Sequence, residues 1–226
     1  MPRKPDPDAR RNLLAAARAA FAEVGVGKAR VEDVARAAGL SKGAFYLHFY
    51  SKEEAFREIV SDFFAVMRDL VEQRHEACRD LRATVGSPSA EDWRTDSELL
   101  RKWRACDHAH TVRALQALWR HRDVLRAVLE HGEGARLGLV DPFVDLSREM
   151  LAAQLQQSID AGALRDDLPA ELVSELIIGM WLQLARRMTR ASTRPDFDLW
   201  ARAVDTLMVE GLAARTADRT VSKGCA

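Results

Sequence analysis

The chain has 226 residues, of which 47% are apolar, and its 34 basic and 34 acidic side chains give a formal net charge of zero. This composition excludes a chain that is disordered overall, because it supplies enough apolar material for a buried core. Residues 1–52 nevertheless hold ten Lys and Arg against five Asp and Glu, a net charge of +5, and the rest of the chain holds −5. A basic end joined to an acidic body is typical of a head that binds a polyanion.

The cysteines exclude a disulfide framework, since Cys78, Cys106 and Cys225 are few and scattered and none forms a Cys-x-x-Cys pair. No apolar run approaches the roughly 18 residues that span a bilayer, and the first nine residues lack the apolar centre of a signal peptide. We therefore expect a cytoplasmic protein.

Helical patterning runs along nearly the whole chain, because apolar residues recur at spacings of three and four and good helix formers dominate. Clusters of Gly, Pro and Ser predict breaks at residues 25–28, 39–41, 50–51, 86–89, 132–138, 162–169 and 192–195. The sequence therefore predicts an all-α fold of about nine helices, the first three short and the later ones long.

Three helix starts are marked by their own signals. Ser51 and Glu54 have the spacing of a capping box, in which each side chain satisfies a backbone N–H of the other. Asp141 before Pro142, and Asp196, are further residues that favour a first turn.

Residues 31–49 predict two short helices joined by a sharp turn. Val31, Val34 and Ala35 fall on one face of the first helix, and Gly39 after it tolerates a left-handed backbone. Ser41 is placed to cap the second helix, whose residues Phe45 and Phe49 lie four apart and face inward. Such a corner holds one helix clear of the surface, as a helix-turn-helix requires for entry into a major groove.

Residues 29–56, ARVEDVARAAGLSKGAFYLHFYSKEEAF, closely resemble the N-terminal signature of TetR-family regulators. The preceding helix is similar to that family's first helix, with an apolar seam at Leu13, Ala17, Phe21 and Val24. The resemblance implies a three-helix DNA-binding domain over residues 1–50 and a helical bundle for ligand binding and dimerisation over residues 51–215. Residues 216–226 are expected to form a flexible tail.

The resemblance also implies which side chains meet DNA. Base-facing positions are Lys42, Ala44 and Leu47, and phosphate-facing positions are Tyr46, His48 and Lys52. Gly43 lets the DNA backbone approach, and Ser41 caps the helix. On the residues alone, Lys42 and Lys52 are better interpreted as ordinary solvated lysines, and Tyr46 and His48 are equally compatible with packing.

Arg30 departs from the family's pattern, which has Thr or Ser at the position that caps the second helix. Its guanidinium cannot accept the capping hydrogen bond, so the helix start loses about 1 kcal/mol. It can instead donate to a phosphate, which keeps it among the expected DNA contacts.

The C-terminal helices carry more apolar surface than a single stripe. Residues 168–190 and 197–214 predict two helices that each have a second face to cover, and the resemblance favours a two-fold four-helix interface over the core of a large monomer. The expected interface residues are Leu172, Leu176, Met180, Leu199, Val204, Leu207 and Met208.

The middle helices supply candidates for an effector pocket, namely Phe64, Met67, Trp103, His110, Trp119, Phe143, Met150 and Trp181. Each is also an ordinary core residue, since aromatic and Met side chains more often fill interiors than line ligand sites. Asp107, His108 and His110 stand too close in sequence to share one side of a helix, so we predict no metal site, and no cofactor.

Together these features predict a homodimeric regulator that binds palindromic duplex DNA and is a repressor released by a small apolar effector. A helical adaptor that binds only proteins remains an alternative, as does a helical enzyme. The enzyme is disfavoured because neither a G-x-S-x-G motif nor a phosphate-binding loop occurs.

Overall fold

The computed structural model describes residues 7–160, 162 and 164–212. All regular elements of this range are helices, which confirms the predicted all-α class. They are α1 Pro7–Lys28, α2 Val31–Ala37, α3 Lys42–His48, α4 Lys52–Val85, α5 Ala90–Thr95, α6 Glu98–Arg120, α7 Arg122–Leu129, α8 Glu133–Arg136, α9 Asp141–Asp160, α10 Ala170–Arg190 and α11 Phe197–Leu212. The expected tail at residues 216–226 lies outside the described residues.

The described range holds eleven helices rather than about nine. Two short ones, α5 and α8, lie within or beside segments predicted as breaks, and a turn at His121 separates α6 from α7. The break predicted at residues 25–28 is present as a kink in α1, which continues beyond it to Lys28. The kink is at Gly25, whose φ of 79° and ψ of 158° interrupt the helix.

The predicted helix starts are largely confirmed. The Ser51 hydroxyl accepts a hydrogen bond from the Glu54 amide at 3.1 Å, and α9 begins at Asp141 as expected. The Asp196 carboxylate caps α11 by accepting from the Leu199 amide at 3.0 Å. The reciprocal half of the first capping box was wrong, since the Glu54 carboxylate accepts from the Tyr50 amide instead.

One apolar cluster extends from the N-terminal helices into the body. Phe21 of α1 and Phe56 of α4 meet edge to face with ring centroids 5.7 Å apart, and both are buried. The same cluster includes residues of α6, α7, α10 and α11, so α2 and α3 rest on a base that is continuous with the rest of the protein. A smaller cluster joins α9 to α10 through Leu155, Val173 and Ile177.

No described helix combines the length and the apolar content that crossing a bilayer requires.

Candidate nucleic-acid interface

The turn between α2 and α3 is closed by backbone hydrogen bonds. The Leu40 amide donates to the Ala35 carbonyl at 2.8 Å, and the Gly39 amide donates to the Arg36 carbonyl at 3.0 Å. This pair of bonds is a Schellman motif, which requires the left-handed φ of 72° that Gly39 adopts. The predicted sharp turn is therefore confirmed, and its geometry fixes the direction in which α3 leaves α2.

Helix α3 is anchored by its buried side. The Ser41 hydroxyl accepts from the Ala44 amide at 3.1 Å, which is the predicted N-cap. Phe45 and Phe49 are fully buried, with ring centroids 5.4 Å apart, as their spacing predicts. On the opposite side of α3, Leu47 leaves 72% of its surface exposed although it is a large apolar residue.

The expected DNA-facing residues lie on this outer side and at its ends. The exposed ones are Arg30, Ser41, Lys42, Gly43, Tyr46 and Leu47, and the partly buried ones are Ala44, His48 and Lys52. The structure thus brings the predicted set together at one corner of the molecule.

Tyr50 belongs to the same surface but was missed from the sequence. It comes two residues after the end of α3 and is 92% exposed. Such exposure is unfavourable, because the apolar surface of the ring stays in contact with water. The sequence signal that could have found Tyr50 is an aromatic residue in the short segment between two helices. No helical turn lies beside the ring there to cover it.

Two predicted DNA contacts already have partners within the protein. The Lys42 ammonium lies 2.5 Å from a Glu32 carboxylate oxygen, and this pairing lowers the pKa of Glu32 and raises that of Lys42. The Lys52 ammonium donates to the backbone carbonyls of Gly27 at 2.8 Å and Ala29 at 3.0 Å. An ammonium has three donors, so these two carbonyls use two of them while Lys52 secures the end of α1.

Arg30 is the N-cap of α2 and makes no side-chain capping bond, as predicted for a residue that cannot accept one. Its guanidinium is exposed beside the start of α2.

Helix α1 ties this corner to the rest of the protein. Arg10 pairs with Glu58 of α4 and also lies over the Phe49 ring, 4.9 Å from its centroid. Arg18 donates twice to the Asp123 carboxylate of α7, at 2.9 and 3.0 Å.

The sequence model described as bacterial regulatory proteins, tetR family, matches residues 13–59, the segment that builds this corner and its supporting helices. Residues 13–59 therefore form a TetR-family N-terminal domain. This confirms the resemblance predicted from residues 29–56.

Longer alignments reach beyond this segment. Over 206 residues the chain is 25% identical to the uncharacterized HTH-type transcriptional regulator YdgC of Bacillus subtilis, with 89% of this chain and 91% of that protein covered. Over 178 residues it is 28% identical to the HTH-type transcriptional repressor KstR2 of Mycobacterium tuberculosis, with 74% and 75% covered. Both relatives are regulators of transcription.

Solved structures share the fold along almost the whole chain. The ketosteroid transcriptional regulator KstR2 of Mycobacterium tuberculosis aligns with a TM-score of 0.62 at 22% identity, over 91% of this chain and 95% of that one. The fatty acid degradation regulator FadR from Bacillus halodurans aligns with a TM-score of 0.64 at 19% identity, over 94% and 100%.

The C-terminal helices of this protein expose large apolar side chains. Leu172 and Leu176 on α10 are more than half exposed, as are Leu199 and Leu207 on α11. Three other residues expected at the interface lie deeper. Met180 and Met208 are partly buried, and Val204 is buried within the protomer, so it is not available to a partner.

The eight residues expected to line a pocket do not share one cavity. Phe64 and Phe143 stack with ring centroids 4.2 Å apart, and Met67, Trp119 and Trp181 pack with Phe64 against the main core. By contrast, His110 is buried on α6, Met150 is exposed on α9, and the Trp103 indole donates to the Gly86 carbonyl. Four members of the expected set therefore pack against the main core, Phe143 stacks on one of them, and the other three have different surroundings.

A small cavity of about 10 Å³ lies elsewhere, among residues of α9, α10 and α11 such as Leu155, Val173 and Leu212. This volume holds about one water molecule, so it is too small for an effector.

The histidine-rich segment of α6 spreads its side chains over different neighbours. Asp107 accepts from Arg74 of α4, whereas His108 bridges Asp198 and Asp205 of α11. Among the described residues no group of three side chains is arranged to hold a metal ion.

Proposed function

We propose that this protein is a homodimeric repressor that binds a palindromic DNA site through α3 and releases it when a small apolar molecule binds the helical body. The observation that carries the proposal is α3 itself, which is anchored by buried Phe45 and Phe49 and exposes Lys42, Tyr46 and Leu47. A short helix held in this way fits the width of a major groove, about 12 Å.

The side chains of this surface suit both the groove and the phosphates. Lys42 and Arg30 supply positive charge for phosphate oxygens or guanine edges. Ala44 and Leu47 offer only apolar contact, which suits thymine methyl groups. Base reading through these few contacts is sparse, so sequence-dependent shape of the DNA contributes to selectivity.

A dimer would supply the second recognition helix. The four exposed leucines, two on α10 and two on α11, are apolar surface that a two-fold interface through these helices would cover on both protomers. Two copies of α3 about 34 Å apart would then engage successive major grooves.

The effector is proposed to be apolar for two reasons. The Phe64–Phe143 stack is an aromatic pair that joins α4 to α9, and Phe64, Met67, Trp119 and Trp181 all pack against the main apolar cluster. Of the relatives of known structure, one is a ketosteroid regulator and another a fatty acid degradation regulator. Entry of such a molecule would require Phe143 to move, because the rings are in contact.

The decisive experiment selects bound duplexes from a random pool and then measures affinity against salt. About eight neutralised phosphates per dimer predict a log–log slope near −7. A slope close to zero would favour the adaptor that binds only proteins. The same assay with added fatty acyl and steroid compounds tests release.

Lys42→Ala and Tyr46→Ala are expected to weaken binding by about tenfold or more, since each dimer loses the contact twice. Lys102→Ala is the matched control, because Lys102 on α6 is equally exposed and equally paired with one carboxylate, that of Glu98. Unchanged binding by both test variants would refute the assignment of α3.

A further inference from the structure

The start of the recognition helix is neutralised by a carboxylate from the neighbouring helix. Lys42 is the first residue of α3, and its ammonium contacts Glu32, the second residue of α2, at 2.5 Å. Both side chains are about half exposed, so the pair lies at the surface rather than in the core. Nothing in the packing of α2 on α3 requires it, because the buried contacts there are made by Val34, Ala35 and Phe45.

This pair is unusual in its setting. Residues 29–52 contain only two acidic side chains, Glu32 and Asp33. Asp33 is turned along its own helix to Arg36, at 3.0 Å, so Glu32 is the acidic residue of this stretch that pairs with α3. It stands where the proposed function brings a polyanion.

We propose that Glu32 is a built-in competitor of DNA that sets the affinity of the whole recognition surface. The inference rests on the proposed function, since it presumes that α3 meets a duplex. A phosphate or a base edge must replace Glu32 as the partner of Lys42, and the displaced carboxylate then faces the phosphates. Residues 1–52 hold ten basic residues against five acidic ones, and this excess attracts DNA. The displaced carboxylate removes part of that attraction.

The size of the effect follows from the exposure of the pair. Exposed ion pairs shift an equilibrium by up to about fivefold, and a dimer contains the pair twice, so the product is about 25-fold. The released carboxylate also takes up a cation when DNA binds, which offsets the counterions released from the duplex. Removing its charge should steepen the log–log salt slope by about one to two.

The test compares Glu32→Gln with Asp33→Asn in fluorescence anisotropy titrations on a selected site and on a random duplex of equal length. Asp33→Asn is the matched control, because it removes the adjacent, similarly exposed carboxylate that pairs within α2. We expect Glu32→Gln to bind both duplexes about 5- to 25-fold more tightly with a steeper salt slope. Asp33→Asn should change affinity by less than about half that factor.

A double-variant cycle isolates the ion pair from general repulsion. In a Lys42→Ala background, Glu32→Gln should raise the logarithm of the DNA affinity by less than about half as much as it does in the wild-type background. The proposal would be overturned if Glu32→Gln raised DNA affinity by as much in the Lys42→Ala background as in the wild-type background. It would also be overturned if Glu32→Gln did not raise affinity in the wild-type background, or lowered affinity for the selected site alone. Circular dichroism melting confirms folding, and Glu32→Ala serves if the glutamine variant is unstable.

The two levels of failure are distinguishable. If the wild-type protein binds no duplex with a salt-dependent affinity, the proposed function fails. If it binds and Glu32→Gln behaves like Asp33→Asn, only the competitor assignment fails.

Discussion

At the scale of single residues, the burial of a side chain was predictable where it depends on helical spacing. The hydrogen-bond partners of a side chain were not predictable. Phe45 and Phe49 are buried as their separation of four predicts, and Ser41 caps α3 as its side chain allows. Lys52 was expected to grip DNA, yet it also binds the carbonyls of Gly27 and Ala29. That contact depends on where α1 ends, which in turn depends on a kink that the sequence marks only as a break.

His108 shows how a residue that the sequence could not place acquires a role in stability. Its Nδ1 lies 2.7 Å from Asp205 and its Nε2 2.9 Å from Asp198, so the imidazole joins α6 to α11. The hydrogen bond to Asp198, with a further one to Asp205 and the charges of both, raises the pKa of His108 against the opposing effect of burial. Only the protonated ring can donate from both nitrogens at once.

We therefore predict a pH-dependent stability that His108 controls. A pKa raised in the folded state gives a contribution that is fully present below the unfolded value of about 6.5 and is lost as pH rises through the folded value. Urea unfolding between about pH 5.5 and 8.5 should show a larger loss of stability for the wild-type protein than for His108→Gln. Parallel curves for the two proteins would contradict this, and His48→Gln serves as the control on α3.

At the scale of elements, periodicity predicted the long helices and missed the short ones. Helix α5 has only six residues and is held by a local capping box, in which the Ser89 hydroxyl and the Asp92 carboxylate bind each other's backbone amides. Such a helix has too few turns for an apolar stripe to appear in the sequence. The same limit applies to α8, which has four residues.

The second faces of α10 and α11 were visible in the sequence, but the division between core and surface was not. Trp181 packs against both apolar clusters, so its replacement would damage the protomer and would not isolate dimerisation. Leu176 and Leu207, which are 66% and 70% exposed, are the better probes.

Leu176→Arg and Leu207→Arg are each predicted to convert the proposed dimer to monomers in sedimentation velocity. A buried charge at a central position weakens an interface by about 2 kcal/mol or more, or roughly 30-fold in Kd. Leu146→Arg on α9 is the control, because Leu146 is similarly exposed on a different helix. A dimer that survives both test variants would place the interface elsewhere.

At the scale of the whole molecule, helix α1 and the body share long-range contacts that no local pattern predicts. The Arg18–Asp123 pair joins residues 105 apart, and it holds the pKa of Asp123 below its usual range although burial opposes this. The His131 imidazole lies 3.2 Å from the Ala22 carbonyl, across 109 residues. Both contacts converge on α1, which also packs against α2, α3 and α4.

The kink at Gly25 is a position of α1 where a side chain would be strained. A Cβ added at Gly25 would lie 3.3 Å from Cβ and Cγ of His131, and the φ of 79° disfavours any side chain. Gly25→Ala is therefore predicted to destabilise the protein by about 1–2 kcal/mol in urea unfolding. Relief of the strain would straighten α1, move His131 away from Ala22 and tilt α3, so DNA affinity should fall with stability.

Gly43→Ala provides the comparison for stability. Gly43 is helical and the nearest atom to an added Cβ is the Ser41 hydroxyl at 3.8 Å, so alanine there should be neutral or stabilising by up to about 1 kcal/mol. Equal unfolding free energies for Gly25→Ala and the wild-type protein would mean that the kink stores no constraint. In that case α1 would tolerate a continuous helix, and its end would not set the position of α3.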